Sequence, residues 1–145
     1  MRLILQRVSG STVWVAGDVV GAIGPGMLVL VGVEKGDGPE QVAAAARKLA
    51  TLRIFEDENA RMNLDIGAVG GEFLIVSQFT LAGSLAKGRR PSFDRAEDPK
   101  AAEPLIESLI QTLREQGFSV ETGRFGARME VELTNEGPVT FLLEV

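Results

Sequence analysis

Apolar residues open the chain in short runs punctuated by glycine. Arg2 to Val8 and Ser11 to Val15 are rich in aliphatic and β-branched residues, and Ala16-Gly17-Asp18 ahead of Val19 to Ile23 predicts a hairpin. Gly24-Pro25-Gly26 breaks the pattern before Met27 to Val33. That run of seven does not alternate, which predicts a strand covered on both faces at the centre of a sheet. Asp37, Pro39 and Glu40 predict a helix start. Val42, Ala45, Ala46, Leu49 and Leu52 then recur at intervals of three and four residues and form one apolar stripe. A second helix is expected from Asp98-Pro99 to Gly117, with Leu105, Ile106, Leu109, Ile110 and Leu113 on one face and a bend or restart at Pro104. Between the helices, Glu72 to Leu81 reads as a strand that crosses the core and emerges at an edge. Phe118 to Glu121, Arg128 to Thr134 and Val139 to Val145 read as three more strands.

About seven strands and two helices without strict βαβ alternation predict an α+β fold. The expectation is a single domain, residues 1–145, with a largely antiparallel or mixed, barrel-like sheet and two main helices. At 145 residues the chain is long enough to bury a core without disulfide or metal staples. Fifteen Lys and Arg against 20 Asp and Glu leave a net charge of −5, which argues against broad coating of nucleic acid but permits a small basic footprint. The longest apolar run is far below the roughly 20 residues of a membrane span, and the expected location is the cytoplasm.

Three absences narrow the chemistry. Without Cys there is no thiolate nucleophile and no Cys-ligated metal, and without His there is no Ser-His-Asp triad and no imidazole base; Tyr is absent as well. Catalysis must draw on carboxylates, Lys or Arg, hydroxyls, backbone amides, a borrowed metal or the substrate. Ser77-Gln78-Phe79-Thr80-Leu81 gathers three polar groups at the end of an apolar strand. Strand alternation would put Ser77, Phe79 and Leu81 on one face, with Gln78 and Thr80 on the other. Thr80 could serve as nucleophile or substrate anchor, against the commoner structural role of a strand threonine, yet no histidine is present to activate it. Lys87-Gly88-Arg89-Arg90 is the densest basic run, fit for phosphate or simply a solvated loop. Glu56-Asp57-Glu58 with Asp65 reads better as an exposed acidic turn than as a hard-metal site. Asn135-Glu136-Gly137-Pro138 has turn composition, which does not settle the geometry of its proline bond.

Taken together these motifs resemble the D-aminoacyl-tRNA deacylases, of the bacterial and eukaryotic type also called D-tyrosyl-tRNA deacylase. The resemblance runs nearly end to end. It takes in Gln6-Arg7-Val8, Leu52 to Glu58, Met62-Asn63-Leu64, Gly70-Gly71-Glu72, Ser77 to Leu81, Lys87 to Phe93, Glu121 to Gly126 and Asn135 to Thr140. Ahead of the basic run, Ala82-Gly83-Ser84 stands where many members carry an aromatic and an acidic residue, and Glu136 stands where Asp is common. The resemblance implies hydrolysis of the ester joining a D-amino acid, or glycine, to the terminal ribose of tRNA, with L-aminoacyl-tRNA spared. It implies a homodimer in which a cis Gly137-Pro138 reaches into the partner's pocket. Ser77, Gln78, Phe79 and Thr80 would line that pocket, and Met129 would lie beside the terminal adenine. Lys87, Arg89 and Arg90 would bind the acceptor end of aminoacyl-tRNA. No metal or cofactor is expected, and no membrane. Backbone amides near Phe79 and Thr80 would stabilise the oxyanion while the ribose 2′-hydroxyl helps activate water; an older reading makes Thr80 a covalent nucleophile. The rivals are a non-catalytic module that binds RNA ends and a metallohydrolase built on Glu56, Asp57 and Asp65.

Overall fold

The computed structural model describes residues 1–86 and 88–145. Its elements in order are β1 (Arg2–Val15), β2 (Asp18–Ile23), β3 (Gly26–Gly32), α1 (Pro39–Thr51), β4 (Phe55–Glu56), β5 (Met62–Leu64), β6 (Glu72–Ser77), a 3₁₀ turn (Phe79–Ala82), α2 (Pro99–Glu115), β7 (Val120–Thr122) and β8 (Glu130–Glu144). The main sheet runs β2-β1-β3-β6-β7, and β8 pairs with β1. β1 is antiparallel to β2, β3 and β8, while β3, β6 and β7 are mutually parallel. Parallel neighbours need long crossovers, and α1 and α2 supply them. The fold is the expected α+β type with a mixed sheet.

The unalternating runs in β3 and β6 serve two cores. Met27, Val29, Val31, Phe73 and Ile75 face the helices, where they meet Leu49 of α1 and Leu109 and Leu113 of α2. Leu28, Leu74 and Val76 face the other way, onto Val8, Val13 and Ile23. β3 therefore lies at the sheet centre, as the pattern predicts. The stripes on α1 and α2 are buried as expected, with Leu52 packed at the margin.

Tertiary packing alters several local expectations. β1 is one strand across Ser9-Gly10, and β8 is one strand across Asn135 to Pro138 where a turn is expected. Both hold because the two strands pair with one another, and the mismatch is absorbed as bulges. Gln6 opposes Thr140 and Val8 opposes Asn135, so residues 136 to 139 stand against Arg7 alone. β6 ends at Ser77 instead of running to Leu81, and it lies between β3 and β7 instead of at an edge. α2 continues unbroken through Pro104. At α1 the cap residue is Gly38, because Asp37 accepts instead from the Met1 ammonium at 2.7 Å and from the Glu34 amide at 2.7 Å. The hairpin at Ala16-Gly17 matches expectation, with φ of 52° and 88° at the two residues, as right-handed strand twist requires.

The acidic turn joins the short strands β4 and β5. The Asp57 carboxylate accepts from the amides of Asn59 and Arg61 and from the Asn63 side chain. The backbone hydrogen bonds from Arg61 and Asn59 hold its pKa below the ordinary carboxylate value. None of the described helices is long and apolar enough to cross a membrane.

β2 closes against β7 across a glycine. A Cβ at Gly21 would sit 2.3 Å from the Thr122 carbonyl oxygen, so only glycine allows that approach. Gly21→Ala should lower stability in urea by about 1–3 kcal/mol through backbone displacement. Gly10→Ala, whose Cβ would meet only the Ile23 carbonyl oxygen at 3.6 Å, should change it little.

Candidate active site

The chain leaves β6 at Ser77 and folds at once over the end of β3. The Gln78 amide donates to the Val31 carbonyl at 2.7 Å, and the turn closes through Leu81 N–H to Gln78 O at 3.1 Å and Gly83 N–H to Thr80 O at 3.0 Å. Gly32 is the seat of this turn, since a Cβ there would lie 2.8 Å from the Leu81 Cβ. The amides of Phe79 and Thr80 head the turn and have no acceptor among the described residues. The Gln78 side-chain amide donates to the Thr80 hydroxyl. No carboxylate or amine hydrogen-bonds that hydroxyl among the described residues. Because the strand has ended, the alternation expected for residues 77 to 81 does not apply beyond Ser77.

Phe79 is 60% exposed, and its ring packs on Phe93 with centroids 5.1 Å apart. Phe93 closes the segment that carries the basic run. Ser84 and Ser92 pair across its base, by amide-to-carbonyl bonds of 2.7 and 3.0 Å. Arg89 and Arg90 are exposed within this segment. Lys87 lies outside the described residues.

Beneath the turn opens a cavity of about 600 Å³, lined by Ser77, Gln78, Phe79, Phe93, Ile106 and Phe125 together with Val31, Lys35, Glu97, Asp98 and Gly126. Thr80 stands beside this cavity and not on its wall. Met129 is also outside it. The Met129 sulfur accepts from the Arg124 amide at 3.3 Å and packs over Gly123, although the same turn sends Phe125 and Gly126 to the cavity.

Gly137 and Pro138 occupy the bulge of β8, exposed, with a cis bond between them. Arg7 holds this bulge from below. The residue is 3% exposed, and its side chain donates to the carbonyls of Ile54 at 2.7 Å and Glu136 at 3.3 Å, and to Glu56 Oε1 at 3.3 Å. The Asn135 side-chain amide donates to Arg7 O and Val139 O, each at 3.0 Å, and fastens the other side. Arg2 reaches the Leu81 carbonyl at 3.0 Å, whereas the bulge sits over Arg7, five residues or about 16 Å further along β1.

Arg7, Phe93 and Phe125 are site residues that the motif reading left unassigned. Arg7 had a visible signal, being a charged residue in phase with the buried Leu3 and Leu5. The carboxylates of the rival metal site are engaged separately: Glu56 with Arg7, Asp57 in its turn, and Asp65 on the Ala68 amide at 2.9 Å.

The profile of the D-Tyr-tRNA(Tyr) deacylase family matches residues 4–144. The D-aminoacyl-tRNA deacylase of Syntrophotalea carbinolica is 53% identical over 144 residues, covering 99% of this chain and 97% of that protein. The D-aminoacyl-tRNA deacylase of Bacillus licheniformis is 54% identical, covering 99% and 98%. Among solved structures, the c-Myc DNA unwinding element binding protein superposes with a TM-score of 0.94 at 36% identity, over 100% of this chain and 99% of that one. With a profile spanning nearly its whole length and relatives of this similarity, the chain belongs to the D-Tyr-tRNA(Tyr) deacylase family.

Proposed function

We propose that the chain hydrolyses the ester of D-aminoacyl-tRNA, and of glycyl-tRNA, while sparing the L-aminoacyl form. The observation that carries the reading is the pair of unengaged amides at Phe79 and Thr80, set at the mouth of an aromatic-walled cavity in a chain with no histidine or cysteine. An aminoacyl ester is already activated, so what it needs most is a place for developing negative charge. A preorganised backbone donor supplies roughly 3 to 4 kcal/mol of such stabilisation. Water adds to the ester carbonyl, the two amides hold the oxyanion, and the bond to the ribose 3′ oxygen breaks as that oxygen takes up a proton. The neighbouring 2′-hydroxyl orients the water and relays its proton. Free amino acid and tRNA leave.

The remaining assignments belong to the same proposal. Phe93 and Phe125 offer apolar faces to the terminal adenosine, with Met129 on the turn behind it. Arg89, Arg90 and Lys87 meet phosphates of the acceptor end. Ser77 and Gln78 line the cavity, and Gln78 ties down Thr80. Because Gly137-Pro138 stands about 16 Å along β1 from its own chain's turn, it completes a site only in trans, in a homodimer acting in the cytoplasm. Rejecting an L-substrate by 10⁴ takes about 5.5 kcal/mol. A backbone wall at the α-carbon provides this by collision with L side chains, and it admits D-residues and glycine alike. No metal or cofactor enters the scheme.

Three expected outcomes test it. Thr80→Ala should retain much of the activity, while tRNA ending in 2′-deoxyadenosine and charged through its 3′ oxygen is cleaved poorly; a trapped acyl-Thr80 ester would restore the covalent reading. Specific activity should fall with dimer concentration on dilution, and release of free amino acid over many turnovers per enzyme would dismiss a module that only binds. Arg7→Lys cannot reproduce the three-way contact to Ile54, Glu136 and Glu56. It should raise the ratio of L- to D-aminoacyl-tRNA hydrolysis, read from parallel single-turnover rates, more than it changes binding of uncharged tRNA.

A further inference from the structure

On the far side of the turn that carries Phe125 lies a second concavity, of about 360 Å³. Trp14 and the hairpin tip Ala16-Gly17 form one wall, and Arg128, Met129 and Glu130 form the other. Three features point to a ligand. Trp14 is the single tryptophan of the chain and is only partly buried, at the hairpin end of β1. Arg128 is exposed, and no carboxylate lies within ion-pair distance of it among the described residues. Glu130 pairs directly across the ladder from Trp14, which brings a carboxylate to the indole.

The position of this cleft is as informative as its chemistry. Gly126 lines the first cavity and Arg128 lines the second, so two residues of chain, at most about 7 Å, separate them. A polynucleotide strand leaving the first cavity across this turn enters the second one nucleotide later. Resting on the function proposed above, we infer that the Trp14 cleft holds the nucleotide that precedes the terminal adenosine. Trp14 supplies a stacking surface for the base and Arg128 a cation for its phosphate. Glu130 accepts a hydrogen bond from an exocyclic amine, the group that cytosine presents and uracil replaces with a carbonyl. The occupant is thus the cytidine of the single-stranded tRNA end.

Trp14 is its own reporter. In the full-length protein, a short uncharged RNA ending in CCA should quench tryptophan fluorescence, adenosine monophosphate should not, and the same RNA ending in CUA should bind roughly tenfold more weakly. Arg128→Ala should weaken the quenching. It should also raise KM for D-aminoacyl-tRNA about tenfold, the scale of one lost charge-assisted phosphate contact, while leaving hydrolysis of the D-aminoacyl ester of adenosine unchanged. Trp14→Phe, which keeps an aromatic face, should show a smaller rise in KM on tRNA alone. Equal quenching by adenosine monophosphate, indifference to the C-to-U change, or equal losses on the tRNA and adenosine esters would overturn the cleft. If the wild-type protein cleaves neither ester, the hydrolytic reading falls and the fluorescence comparison judges the cleft by itself.

Discussion

The whole arrangement of β8 depends on a guanidinium placed where an aliphatic side chain would be expected. Leu3 and Leu5 point into the main core, and Arg7, next in phase, is as buried as they are. Burying a charge is costly unless its donors are used, and here two carbonyls and one carboxylate use them. One of those carbonyls belongs to Glu136, within the residues that β8 bulges out against Arg7. The bulge is therefore a fixed feature of the native state, because straightening β8 would strand a buried cation. Its other partners are Ile54, between α1 and β4, and Glu56 of β4 itself, so this otherwise peripheral hairpin is tied to the same anchor.

The opposite end of the site is set by a different constraint, the two-sided core. β3 and β6 send successive side chains to separate apolar clusters, which leaves neither strand free to rotate or slip. The chain consequently leaves β6 at a fixed point, and Gly32 removes the one Cβ that would keep the following turn off the end of β3. Rigid strands thus deliver both the unengaged amides at residues 79 and 80 and the bulge at residues 137 and 138, which the proposed function uses as its wall. A selectivity based on collision demands such stiffness, since a wall that yields discriminates nothing.

What could be read from residue patterns follows from the range of the forces involved. The doubly covered run of β3, the stripes of α1 and α2 and the two-residue hairpin are local or periodic, and all appear where the pattern places them. Failures occur where a distant group intervenes. Phe79-Thr80-Leu81 has strand composition, yet it coils because the Val31 carbonyl captures Gln78 and Gly32 offers a seat. Asp37 looks like a helix cap, but the Met1 ammonium claims it. Asn135 to Pro138 looks like a turn, and only the partner strand shows that it is a bulge. β4 and β5, two and three residues long, leave no periodic trace. For the candidate site, the motifs marked the cavity segment and the bulge. They took in Phe93 and Phe125 without assigning either to the cavity, because that placement follows from the Ser84–Ser92 pairing and from the turn after β7.

The missing imidazole also bears on where such a site can lie. A histidine or thiolate nucleophile benefits from burial that tunes its pKa. A reaction that relies on backbone donors and on a hydroxyl of its own substrate needs no titrating group, so nothing requires the reacting carbonyl to sit deep in the protein. An exposed turn suffices, provided that the rest of the ligand is gripped elsewhere. On the function proposed above, the grip is spread along the surface, between the cavity beside the turn, the exposed Arg89 and Arg90, and the tryptophan cleft beyond Gly126. Binding energy from those remote contacts can position the ester with little help from its immediate surroundings. The physical demand thereby moves from proton transfer to placement, which is what a rigid sheet with two cores is built to supply.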